Sequence, residues 1–107
     1  MKPEIVVCIY CVRKGKVNRF VKLLAEHRAT LRELRLATAR PHRVYSGADK
    51  AKNPFVVEIF AWTNTQAVET AHRSPALLAV WERMEPLCEK RSERPAMEFP
   101  HVEDVTP

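Results

Sequence analysis

Two short stretches constrain the fold more than anything else in the chain: EIVVCIYCV at 4–12 and FVVEIFAW at 55–62. Both are rich in β-branched and aromatic residues and bounded by turn signals, so both are strands. Successive side chains of a strand point to opposite faces. The first stretch therefore sets Ile5, Val7 and Ile9 against Val6, Cys8 and Tyr10, and the second sets Val57, Ile59 and Ala61 against Val56, Phe60 and Trp62. A sheet with one face in water would alternate apolar and polar. These strands are apolar on both sides, so both faces of their sheet must be covered. Helices can cover one. A second copy of the chain, packed sheet against sheet, is the economical cover for the other.

The rest of the pattern supplies the helices. After the turn RKGK, the apolar period changes to that of a helix over 17–37, with Val17, Phe20, Leu24, Leu31 and Leu34 on one face and Val21 at its edge. This long helix must end before Pro41. A weaker strand, RPHRVYSG, and a polar loop, ADKAKNP, lead into the second apolar strand. Thr63, with Gln66 three residues on, reads as the cap of a helix running to about His72. Ser74 and Pro75 open a further helix to Glu85, where Pro86 bends or ends it. A last extended piece, RPAMEFPHVE, is interrupted by Pro100, and residues 100–107 read as a tail. The order β-α-β-β-α(α)-β predicts an α+β fold: a ferredoxin-like antiparallel sheet with its helices on one face.

At 107 residues the chain is expected to form a single domain. No apolar run approaches the length of a membrane span, and the interrupted run near the N-terminus reads as a strand rather than a leader, so a cytoplasmic protein is expected. The net charge of +5 permits an acidic partner. Its basic residues are dispersed, however, and Arg28, Arg32 and Arg35 form one solvated helix flank, so nucleic acid is not the expected partner. Cys8 and Cys11 form a C-x-x-C pair, but three residues along a strand place them on opposite faces, which suits neither a disulfide nor a metal. An odd total of three cysteines fits a reducing compartment. Four scattered histidines without an i, i+4 pair predict no metal site.

Two polar residues interrupt apolar patterns. His27 lies within the stripe LLAEHRATL, and Glu58 lies on the same face of the second strand as Phe60 and Trp62. A carboxylate buried there must be paired or have a raised pKa. His27 has two readings: a buried histidine bonded to Glu58 or to a backbone carbonyl, or a general base near neutral pH with Glu58 orienting its ring. His72 falls at a helix C-terminus, where an imidazolium can cap carbonyls. Trp81 falls on the apolar side of the last helix with Leu77, Leu78 and Met84 and reads as core. His42 and His101 fall in segments that look exposed.

Residues 4–90 resemble the antibiotic biosynthesis monooxygenase-like domains of the dimeric α/β-barrel superfamily. The stretches that carry the resemblance are LLAEHRATLREL and VVEIFAWTNTQAVETAHRSPALLAVWERMEPLCE, through the strand ending at Trp62, the Ala71-His72 pair, the Ser74-Pro75 helix start and Trp81-Glu82. It implies a homodimer whose two sheets form a barrel, with a pocket in each subunit between the sheet and its helices. It also implies that His27 projects into that pocket. With Cys8, Tyr10, Glu58, Phe60 and Trp62 on the pocket face, and Trp81 and Met84 from the last helix, the wall would be apolar with a few polar groups, the usual form of a small-molecule site. His72 is a further candidate for substrate contact. In the haem-degrading relatives a histidine stands at the position of Trp81 and an asparagine at that of Cys8, so haem degradation is not expected here. The Glu-Pro-Gly that follows the long helix in the family is replaced by RLATARP.

Two functions follow from the resemblance. One is a monooxygenase that needs no cofactor, in which His27, oriented by Glu58, deprotonates a small hydrophobic or aromatic molecule that then reacts with oxygen. The other is a non-catalytic dimeric module, for small-molecule binding or stress response, that sequesters such a molecule without turning it over.

Overall fold

The computed structural model describes residues 4–107; Met1–Pro3, the start of the stretch weighed as a leader, lie outside it. Strand β1 (Glu4–Tyr10) leads into helix α1 (Val17–Glu33), followed by a hairpin of β2 (Ala37–Ala48) and β3 (Pro54–Trp62). Helices α2 (Thr65–His72) and α3 (Pro75–Met84) come next, then a 3₁₀ turn and the two-residue strands β4 (Met97–Glu98) and β5 (His101–Val102). The strand order is β2-β3-β1-β4, with β5 also on β1, and every pairing is antiparallel. This is the α+β ferredoxin-like sheet expected from the sequence.

The two apolar strands lie side by side in the middle, Cys8 opposite Glu58 and Val6 opposite Phe60. Along β1, Val6, Cys8 and Tyr10 are buried beneath the helices, whereas Ile5, Val7 and Ile9 on the other face are only half-buried. The same asymmetry runs along β3, where Val56, Glu58 and Phe60 are buried and Val57 and Ile59 are half-buried. Helix α1 lays Phe20, Leu23, Leu24, His27 and Leu31 on the inner face. Leu34, expected in that stripe, is 41% exposed because the helix ends before it.

That earlier end is one of three differences from the sequence pattern. Arg35 takes a left-handed conformation (φ 59°), and two backbone bonds close the turn: Arg35 N–H to the Arg32 carbonyl and Leu36 N–H to that of Leu31. This is the Schellman arrangement, with arginine where glycine is usual, and it drops Leu36 into the core. The chain enters β2 at once, through a bulge between Ala37 and His42 that holds the cis Arg40–Pro41 bond. Second, Asn64 rather than Thr63 caps α2, its side-chain oxygen accepting from Ala67 N–H at 3.0 Å. Thr63 still belongs to the sheet's end, with its N–H bonded to the Leu36 carbonyl. Third, the segment around Pro100 forms two separate strand pairings on β1 instead of one. Ser74 does cap α3, accepting from Leu77 N–H, and Pro75 occupies the first helical turn.

A side chain at positive φ costs about 1–2 kcal/mol that glycine avoids. Arg35→Gly is therefore expected to raise unfolding stability by about 1 kcal/mol in urea titration, without altering the rest of the fold.

Candidate functional site

Glu58 is completely buried in the middle of β3. Removing a carboxylate from water costs several kcal/mol unless hydrogen bonds replace the lost hydration. Three side chains from three elements supply them. The Tyr10 hydroxyl, from β1, donates to Oε1 at 2.8 Å. His27 Nδ1, from α1, and His42 Nε2, from β2, both meet Oε2, at 3.2 and 2.9 Å. Burial alone would push the Glu58 carboxyl up; the bonds from His27 and His42, the electrostatic attraction of the His27 ring and the Tyr10 bond outweigh it and hold the pKa at about 2. Burial, then the charge of Glu58, raises both the Tyr10 phenol and the Cys8 thiol far above their usual ranges. Cys8 is thus a neutral thiol, not a nucleophile.

A fourth bond fixes the tautomer of His27. The indole N–H of Trp81 on α3 points at His27 Nε2 at 3.1 Å. An indole nitrogen can only donate. Nε2 therefore accepts, and the ring proton of His27 is on Nδ1, directed at Glu58. The result is a chain, Trp81 to His27 to Glu58, joined at the carboxylate by His42 and Tyr10.

A cavity of about 300 Å³ borders this chain. Strand β1 contributes Val6, Cys8 and Tyr10 to its wall, α1 contributes His27, and β3 contributes Phe60 and Trp62. Val68 and His72 line it from α2, Trp81 and Met84 from α3, with Glu85 just beyond. Its remaining side is made by Met97, Phe99 and His101 of the C-terminal segment. Val6, Cys8, Tyr10, His27, Phe60 and Met84 are all buried and form the inner end; His72, Glu85, Phe99 and His101 are exposed and mark the mouth. Aromatic rings pack edge to face around the interior: Phe60 on His27 at 5.9 Å and on Trp62 at 5.0 Å between centroids.

Of the residues singled out in the sequence, all but Glu58 line this cavity; Glu58 lies behind the wall and reaches it through Tyr10 and His27. Trp81, read as core, is half-buried at the cavity with a polar bond to the histidine. His72, read as a helix cap, has its ring against Trp81 at 5.3 Å. Four residues were given no role. Met97 and Phe99 belong to the segment that folds back onto β1. His101 reaches the mouth, where its Nδ1 meets the Glu4 carboxylate at 2.7 Å. His42 was expected in the open, yet its side chain is 1% exposed and stacks on Phe60, 5.3 Å between centroids and 18° between planes. The bulge before it hides the alternation that would have revealed it: His42 and Val44 lie opposite Phe60 and Glu58 on the inner face. Among the described residues no group of three or more His, Cys, Asp and Glu side chains is arranged to hold a metal ion.

Because the folded-state pKa of Glu58 lies below its ordinary value of 4.5, its contribution to stability is complete above that pH and is lost as the pH falls toward about 2. Acid unfolding of the wild type should steepen across that window. Glu58→Ala should flatten the profile there and cost about 3 kcal/mol or more at pH 7, since three buried donors lose their acceptor. Urea titrations at a series of pH values would show both.

No family model and no curated protein sequence matches the chain. Solved structures do match it. A conserved protein of Methanosarcina mazei Go1 superposes with a TM-score of 0.72 at 15% identity, covering 95% of this chain and 92% of that one. A variant of SnoaB, a cofactor-independent oxygenase from Streptomyces nogalater, gives 0.73 at 18% identity, covering 100% and 97%. A protein described as an antibiotic biosynthesis monooxygenase gives 0.68 at 12% identity, covering 96% and 99%. Full-length superposition at such low identity is a likeness of fold, and it agrees with the strand order and helix placement above. This chain has the fold of the antibiotic biosynthesis monooxygenase-like domains.

Proposed function

We propose that this protein is a cofactor-independent monooxygenase acting on a small hydrophobic or aromatic molecule held in the cavity between sheet and helices. The observation that carries this reading is His27: a histidine at the buried, largely apolar inner end of the cavity, with Nδ1–H held by a buried carboxylate, so that Nε2 is the basic atom. The substrate offers a proton from a phenol or an activated C–H. Nε2 takes it, and Glu58 stabilises the imidazolium that forms. The substrate anion supplies the electrons to dioxygen: one oxygen atom enters the product, the other leaves as water, and the substrate is the sole reductant. Phe60, Trp62 and Met84 hold the apolar body and exclude water. For Nε2 to act, the Trp81 N–H must give it up. That bond is also the observation favouring the second reading, a module that binds the same molecules and leaves them unchanged.

Oxygen uptake with a panel of phenols and fused-ring aromatic compounds, with product masses, tests the choice. Under the enzyme reading at least one compound is consumed with oxygen, and His27→Ala lowers the rate about 100-fold or more. Trp81→Phe, which frees Nε2, retains turnover. Saturable binding by calorimetry with no oxygen uptake for any compound would establish the module instead.

We propose also that two copies pair through the outer faces of their sheets. Ile5, Val7, Ile9, Val57 and Ile59 are half-buried there, and Tyr45 is 56% exposed. Left in water, such a patch is a liability; covered, it is an interface. Ile59→Asp is expected to convert a dimer into a monomer in sedimentation velocity. Among the described residues no helix is long and apolar enough to cross a membrane. The three cysteines are buried and unpaired, which suits a reducing, cytoplasmic location.

A further inference from the structure

The shorter of the two bonds on Glu58 Oε2 comes from a residue that never touches the cavity. His42 Nε2 lies 2.9 Å from that oxygen, whereas His27 Nδ1 lies 3.2 Å from it, at the long end of the range for such bonds. Tyr10 fixes only Oε1. The place of Oε2, and so the acceptor offered to His27, is set by His42. The same imidazole lies flat on Phe60, whose other faces and edges meet His27 and Trp62. One buried ring thus braces both the carboxylate behind the base and the aromatic wall beside it.

We infer that His42 is a positioning residue: it donates from Nε2 to Glu58, holds the carboxylate in place, and through it aims His27 at the cavity. The inference deepens the reading of His27 as the base and rests on it for its functional meaning, but its geometry can be tested without any substrate. The groups that face Glu58 are His27 from α1, His42 from β2, and Tyr10 and Cys8 from β1. His27 is already anchored by Trp81, and Cys8 is neutral, so removal of the His42 donor leaves the buried charge with two donors instead of three.

Two substitutions separate bracing by hydrogen bond from mere filling of space. His42→Phe keeps a flat ring against Phe60 and removes the donor. His42→Gln loses the ring and restores an N–H near the position of Nε2. The side-chain carboxyl ¹³C resonance of Glu58 reports its titration, and the His27 Nδ1–H resonance reports their bond. In His42→Phe the Glu58 midpoint is expected to rise by about one pH unit or more, and the His27 proton to lose its protection from exchange. His42→Gln should recover both. An unchanged Glu58 midpoint and His27 proton in His42→Phe would overturn the inference and leave His42 as packing. Should His42→Phe fail to fold, ¹⁵N correlation spectra of the wild-type protein decide: the inference requires the Nε2–H form of His42, and a proton on Nδ1 alone overturns it. A positive outcome here with no turnover on any compound would sink the enzymatic reading and leave the brace intact; the reverse pattern would do the opposite.

Discussion

A carboxylate at the centre of an apolar sheet is the constraint around which the rest of this protein is arranged. The desolvation of Glu58 costs several kcal/mol. A hydrogen bond to a charged group returns about 1.5–3 kcal/mol. One donor could not balance that cost, and three can. The three come from α1, β1 and β2, elements separated in sequence by as many as 48 residues from the carboxylate they serve. Each must be correctly placed before the charge is tolerable. The network therefore adds little net stability and a good deal of specificity: a one-residue register slip of β3 would move Glu58 to the outer face and leave Tyr10, His27 and His42 without an acceptor.

The same arithmetic explains why a polar cluster and an apolar cavity can be neighbours. Every proton that faces the carboxylate is committed to it, and the one nitrogen of His27 left over is met by Trp81. What the inner end of the cavity presents to a guest is therefore mostly aromatic and aliphatic surface, with the Nε2 of His27 veiled by an indole N–H, while His72, Glu85 and His101 stand at the mouth. Electrostatic strength is kept behind the wall, where low polarity magnifies it.

Much of this was legible in the chain. The double-sided apolar strands required a covered sheet, and the lone polar residue on each inward pattern, His27 and Glu58, identified a pair that the fold does bring into contact. Pro75 and Ser74 marked the start of α3 because both signals are local, fixed by one turn of backbone. What escaped was set by longer-range geometry. Arg35 ends α1 in a conformation for which its side chain gives no hint, because the end is dictated by Leu36 having a place in the core. His42 was hidden by a bulge, which shifts the inward parity of β2 without leaving a mark in the residue pattern. Trp81 looked like core because a half-buried indole and a fully buried one have the same signature in a helix, and only the third dimension shows that its N–H has a partner. Phe99, in an extended piece, and His101, in what reads as a tail, were given no role for a similar reason: only the fold shows that β1 offers both an edge.

That last segment has a consequence for how such a protein can change over time. Met97, Phe99 and His101 form one side of the cavity, yet they are held by two short pairings to β1 and contribute no atom to the Glu58 network. The residues that would choose a guest and the residues that would act on it thus occupy separate stretches of chain. Drift in 97–101 can reshape the opening while the buried cluster, whose members fail together, stays as it is. The architecture is modular in the evolutionary sense: one side is free to explore new guests because the other is not free to move.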